Sequence, residues 1–177
     1  EFCNLTEDVI RPDDKPESLR NKVRLASILG TWQATLTNFR YLSKEWKKNC
    51  DEEALLGVSL TGIMDNPYTN GTKDKLPHLL ECMKKVAIET NKKVAKQLGI
   101  NPSAAITCVK PSGTVSQLVD AASGIHTRHA PYYIRTVRGD KKDPICQFMV
   151  ANNIPHEEDV TKPEHTWVFS FPFKSDK

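Results

Sequence analysis

Nowhere does this sequence run apolar for the length that spans a bilayer, and residues 1–11 are mixed polar and acidic, unlike a secretory leader. A helical membrane anchor is therefore not expected. Cysteine is sparse, five in all: Cys3, Cys50, Cys82, Cys108 and Cys146. An odd, scattered set without a CxxC pair argues against a disulfide framework and a structural zinc site, and fits thiols kept reduced in the cytoplasm. Excess charge is also missing. The net value is only +3 with signs mixed along the chain, so no basic face for nucleic acid is expected. There are no internal repeats or low-complexity tracts. What remains, 27% charged and 38% hydrophobic over 177 residues, is an ordinary globular balance, suited to one domain or a segment of a larger one.

The ends suggest a segment. Residue 1 is Glu, not Met, and the apolar Phe2 and Cys3 follow at once. The apolar run 167–173 reads as a strand that stops almost as soon as it is made. The expectation is a single segment, residues 1–177, incomplete at both ends. Between them, Ser18 follows a proline-bearing linker and can cap a long helix whose apolar stripe is Leu25, Leu29, Trp32, Leu36 and Phe39. Gly30 within that stripe would allow close backbone approach. Residues 55–63 read as a buried strand. Residues 76–98 read as a helix with Leu79, Met83, Ala87, Thr90, Val94 and Leu98 on one face and Gly99 as its stop. A second buried strand is expected over 104–109, helices over 115–122 and 147–152, and a last strand over 167–173. Strand–helix–strand–helix order predicts an α/β fold with parallel strands.

The most informative local feature is Cys-Val-Lys-Pro-Ser-Gly-Thr-Val-Ser-Gln-Leu, residues 108–118. A strand, a tight loop and a helix start would aim backbone N–H groups outward at the carboxyl end of a sheet. Gly113 leaves room for a phosphate, and Ser112, Thr114 and Ser116 offer hydroxyls. Read from its residues alone, the loop fits either a phosphate site or a capped helix start. It is not a Walker A loop, because the glycine-lysine order is absent.

Three stretches carry a family resemblance: Glu-Phe-Cys-Asn-Leu-Thr-Glu at 1–7, Leu-Leu-Gly-Val-Ser-Leu-Thr-Gly-Ile-Met-Asp at 55–65, and the loop 110–118 continued by Ala-Ser-Gly-Ile-His at 122–126 and Tyr-Tyr-Ile-Arg-Thr-Val-Arg at 132–138. In this order they resemble class II, adenosylcobalamin-dependent ribonucleotide reductases, nearest the monomeric type that reduces ribonucleoside triphosphates. The resemblance implies part of a ten-stranded α/β barrel of two parallel half-sheets with a finger loop inside, the architecture shared with glycyl-radical enzymes. It implies adenosylcobalamin as cofactor, with binding residues unassigned, and a cysteine thiyl radical that takes the ribose 3′ hydrogen. A cysteine pair then reduces the 2′ carbon. Cys3 matches the downstream member of that pair. Ser112, Gly113, Thr114 and Ser116 match the substrate-phosphate loop. The thiyl cysteine and its glutamate would precede Cys3, so Glu7 is not that glutamate. Implied partners are a ribonucleoside triphosphate, a thioredoxin-type dithiol and the upstream part of the reductase.

Other residues read more plainly. Cys108 suits a core thiol, while Cys50, Cys82 and Cys146 suit structural roles. His126, Arg128, His129, Arg135 and Arg138 form a local cationic cluster, read mainly as a solvated loop over Tyr132 and Tyr133, and no metal site is expected there. Two other functions stay open beside the reductase segment. One is a non-catalytic nucleotide-phosphate-binding fragment of a split or truncated reductase. The other is an unrelated phosphotransfer domain, for which Asp65 would have to hold magnesium.

Overall fold

A computed structural model describes residues 2–110 and 112–175. The chain divides into two compact units, residues 1–127 and 128–177.

In the first unit, β1 (Asn4–Val9) leads into α1 (Pro16–Gln33), α2 (Lys44–Glu53), β2 (Leu56–Thr61), α3 (Leu76–Leu98) and the short α4 (Thr114–Leu118). β1 and β2 pair in parallel, Asn4 opposite Leu56 and Val9 opposite Thr61. The segment 104–109, expected as a strand, lies along the other edge of β2. It is held by a parallel bridge between Val58 and Thr107 and by bonds from the Leu56 and Val58 amides to the Ala105 and Ile106 carbonyls. The expected parallel arrangement is thus present, in a strand of irregular ladder.

The start of α1 differs in detail from expectation. Pro16 takes the first helical position, where its missing N–H costs nothing. Ser18 sits a turn inside, accepting from the Lys15 amide at 3.0 Å and donating to Asp14 at 2.8 Å. The expected inward stripe is corrected. Leu19, Val23, Ala26, Ser27, Gly30 and Thr31 are the buried residues of α1, whereas Leu29 and Trp32 are about half exposed and Leu36 and Phe39 lie past the helix. The cause is steric. A Cβ on Gly30 would stand 3.1 Å from the Leu56 side chain, so the helix approaches the sheet by its small-residue face. α3 matches its expected span and ends on Gly99 in the left-handed region. Asn91 and Ala95 are buried on it where Thr90 and Leu98 were expected. Ile10, Leu19, Val23, Leu56, Val58, Leu79 and Met83 form the core between helices and sheet, each such side chain contributing roughly 1.5–3 kcal/mol by leaving water.

The second unit is antiparallel. β3 (Tyr132–Asp140) and β4 (His156–Glu158) flank β5 (Thr166–Lys174), and α5 (Pro144–Ala151) is capped by Asp143. Residues 132–138, read above as a loop over packed tyrosines, are corrected to a strand in which Tyr132 is exposed. Cys146 is buried against Gly139, and Phe169 is fully buried. Arg138 is tied to Asp159 at 2.6 Å, and Asp159 also accepts the Thr161 and Lys162 amides. The Thr161 hydroxyl and Arg138 hold the Asp159 carboxyl far below the usual carboxylate range.

Candidate functional site

Alternation along β1 sends Asn4, Thr6, Asp8 and Ile10 to one face of the sheet and Cys3, Leu5 and Glu7 to the other. The first face meets α1: a Cβ on Gly30 would lie 3.7 Å from the Thr6 methyl. The second face carries the thiols. Gly57, opposite Leu5 in the ladder, has no side chain; the Leu5 side chain fills the space its Cβ would take, and the Cys3 and Cys108 sulfurs flank that point, each 3.1 Å from it. Cys3 itself is exposed. Glu7 keeps both carboxylate oxygens buried without a hydrogen-bond partner among the described residues. Burial raises the Cys108 thiol above its ordinary range; Lys110 opposes the rise and Glu7 adds to it.

The loop after Val109 sits at the carboxyl end of the 104–109 segment. Pro111 lies outside the described residues. Ser112 is buried, and its hydroxyl has no hydrogen-bond partner among the described residues. Gly113 adopts φ 54°, ψ −120°, a region closed to most side chains, and nothing lies within 4 Å of the position its Cβ would take. Among the described residues no carbonyl accepts the Gly113 or Thr114 amide. Ser116 is fully buried, with its hydroxyl donating to the Gly113 carbonyl at 2.8 Å. The structure therefore gathers Ser112, Gly113, Thr114 and Ser116 into one turn. It makes Ser116 a brace of that turn rather than an open donor. The helix that follows is shorter than expected, Thr114–Leu118, because Asp120 turns into the left-handed region.

Sequence reading missed what fixes this turn. Arg11 donates to the Val119 carbonyl at 2.6 Å. The Gly62 amide and Thr61 hydroxyl donate to the Ala122 carbonyl at 2.7 and 2.9 Å. Asp65 accepts the Ala122 amide at 2.7 Å, and Thr61 accepts the Gly124 amide at 2.9 Å. Residues 119–124 are thus clasped to the carboxyl ends of β1 and β2. No local signal marks such pairs, since each joins positions more than fifty residues apart. Asp65 is spent on this clasp, and among the described residues no group of three or more His, Cys, Asp or Glu could hold a metal ion. The phosphotransfer reading has no support here.

No protein-family model matches the chain. Individual proteins do. It is 29% identical over 144 residues to an adenosylcobalamin-dependent ribonucleoside-triphosphate reductase of Lactobacillus delbrueckii, covering 68% of this chain and 19% of that protein. A reductase of the same description from Lactobacillus helveticus is 36% identical over 129 residues, covering 59% of the chain and 17% of the relative. That of Euglena gracilis is 26% identical over 175 residues, covering 97% of the chain and 23% of the relative. The chain is similar in sequence to those reductases. A crystal structure of a B-12 dependent (class II) ribonucleotide reductase superposes with a TM-score of 0.78 at 22% identity, covering 98% of the chain and 27% of the solved structure. The fold of the chain is therefore that of part of a class II reductase. The chain spans about a fifth of the length of these curated reductases.

The described residues show no site for the cofactor in the reductases' name. A cavity of about 500 Å³, lined by Val23, Leu60, Leu76, Met83 and Val109 among others, is apolar and much smaller than a corrinoid. Among the described residues no helix is long and apolar enough to cross a membrane.

Proposed function

We propose that residues 1–177 are one segment of the catalytic barrel of a cytoplasmic ribonucleotide reductase that converts ribonucleoside triphosphates to 2′-deoxyribonucleotides by thiyl-radical chemistry. Its partners are the nucleotide, a dithiol reductant and the remainder of the reductase. In this reading Cys3 is one thiol of the reducing pair. The turn at Ser112, Gly113 and Thr114 receives substrate phosphate, with Ser116 bracing it. The observation that carries the reading is the sequence likeness over 97% of the chain to a reductase. The chemistry agrees: an exposed thiol stands at the amino end of a parallel strand, and an open glycine turn follows the carboxyl end of another.

Two variants of a complete reductase carrying this segment test it. Cys3→Ser should abolish 2′ reduction, because serine cannot form the disulfide that takes up the oxidising equivalents. Cobalamin homolysis should persist. Normal turnover by this variant would sink the redox role. Gly113→Val should raise KM by about tenfold or more through strain and lost approach. Binding of an unphosphorylated nucleoside should change little. Equal weakening of both ligands would remove the phosphate role and leave the turn a structural cap.

A further inference from the structure

Cys82 has no part in the reducing pair, and its surroundings set it apart from other thiols of the chain. Cys50 and Cys146 are buried, and burial pushes the Cys108 and Cys146 thiols up. Cys82 is half-buried on α3, four residues after His78. That spacing stacks the two side chains on one helix face, and the Cys82 Sγ stands 3.5 Å from the His78 Nε2. Their face borders the buried one of Leu79 and Met83, and the pair lines a cleft of about 190 Å³ between the amino-terminal halves of α1 and α3. Tyr68 and Leu79 give the cleft apolar walls. Arg20 of α1 and Lys75 at the start of α3 also line it, against one acid, Asp74. Among the described residues neither cation forms an ion pair. A nucleophile in contact with a base, in a cleft with spare positive charge, suits thiol exchange with an anionic reagent.

We infer that Cys82 is a site of reversible S-thiolation by small disulfides that carry carboxylates, the class of oxidised glutathione. In the tautomer protonated at Nδ1, the His78 Nε2 takes the Cys82 thiol proton. The thiolate attacks one sulfur of the disulfide, whose S–S bond breaks as the new bond to the Cys82 sulfur forms. The other half leaves as a thiolate and takes up the proton from His78. Cys82 is thereby oxidised to a mixed disulfide, the departing thiol is the reduced product, and a second thiol reverses the exchange. Arg20 and Lys75 pair with the carboxylates of the reagent. The inference stands apart from the reductase reading, because no part of it uses Cys3 or the phosphate turn.

The probe is oxidised glutathione added to the 177-residue chain, with hydroxyethyl disulfide as an uncharged control. Peptide mass mapping follows each cysteine, and each rate is divided by that of the same cysteine in the urea-unfolded chain. Cys82 should react with oxidised glutathione about tenfold faster folded than unfolded, and should gain less with the neutral disulfide. His78→Gln, at an exposed position, should lower the folded rate about tenfold with both reagents. Arg20→Ser should reduce the preference for oxidised glutathione and leave the neutral reaction unchanged. A Cys82 that reacts no faster folded than unfolded would overturn the site, as would a rate unmoved by His78→Gln. Equal ratios for the two disulfides would overturn the anionic class of the reagent. The folded-to-unfolded ratio is read on the unaltered chain, so it stands even if a variant folds poorly. None of these readouts involves turnover, so failure here and failure of the Cys3 redox role are separate outcomes.

Discussion

Single residues carry two kinds of information here, and only one was legible beforehand. Residue type and order marked Cys3 and the Ser112–Gly113–Thr114 turn as candidates. Environment did not show. Nothing in the sequence says that Ser116 turns inward, that Asp65 accepts the Ala122 amide, or that Cys3 and Cys108 both approach Gly57, because each depends on how the chain folds around it. Asp8 is the clearest case. It is buried on the α1 side of β1, and burial pushes its carboxyl up from 3.8 to about 7, with Asp14 adding and Lys22 opposing. The folded chain therefore favours the protonated acid, while the unfolded chain ionises first as pH rises. Stability linked to Asp8 is full below about pH 4 and is lost progressively up to about 7, beyond which the penalty is constant. Asp8→Asn should raise stability by about 1–3 kcal/mol at pH 8 and change it little at pH 4. Urea denaturation at the two pH values measures this. A variant destabilised at pH 8 but not at pH 4 would mean that the Asp8 carboxylate is held by favourable bonds.

At the level of elements, periodicity located the helices well and their inward faces less well. α3 was read correctly because its apolar face is also its buried face, with Leu79, Met83, Ala87 and Val94 on it. α1 has two stripes, one of large apolar residues and one of small ones. Counting periods favours the larger, but a helix that must pass close to Leu56 over Gly30 turns the smaller inward. β3 was hidden because tyrosines and arginines there read as loop composition. Beside the apolar core, a polar network also joins α1 to α3. Asn91, fully buried, donates to Thr31 at 3.0 Å and to the Ser103 hydroxyl at 2.8 Å, and accepts the Ser103 amide at 3.0 Å. Asn91→Ala leaves those groups unsatisfied in the interior and should cost about 2–3 kcal/mol. Chemical denaturation reads the loss. A change below about 0.5 kcal/mol would mean that water takes over the network.

On the scale of the whole molecule, the chain is a minor part of the reductases it resembles, about a fifth of their length. The expected prediction is that purified chain, given adenosylcobalamin and a dithiol, forms no deoxyribonucleotide. Product at a rate above the protein-free control would show that the radical chemistry is contained in these residues. β1, with its polar Asn4, Thr6, Glu7 and Asp8, was not read as a strand, whereas the parallel relation of β2 and 104–109 was legible from the order of apolar runs. The antiparallel β3–β5–β4 sheet was not, since strand direction in the second unit is set by register partners such as Tyr133 and Phe173, forty residues apart.

The clasp on residues 119–124 has a thermodynamic meaning for the turn it adjoins. The turn is tethered on one side by the bond from the Cys108 amide to the Val58 carbonyl and on the other by Arg11, Thr61, Gly62 and Asp65. Fixing a residue's backbone on binding costs about 1–2 kcal/mol of conformational entropy, and a loop already held at both ends has met much of that cost during folding. An anion arriving at Gly113 would therefore find its donors preorganised. Asp65→Ala, although it touches no ligand, should show up as a less favourable binding entropy, with little change in enthalpy.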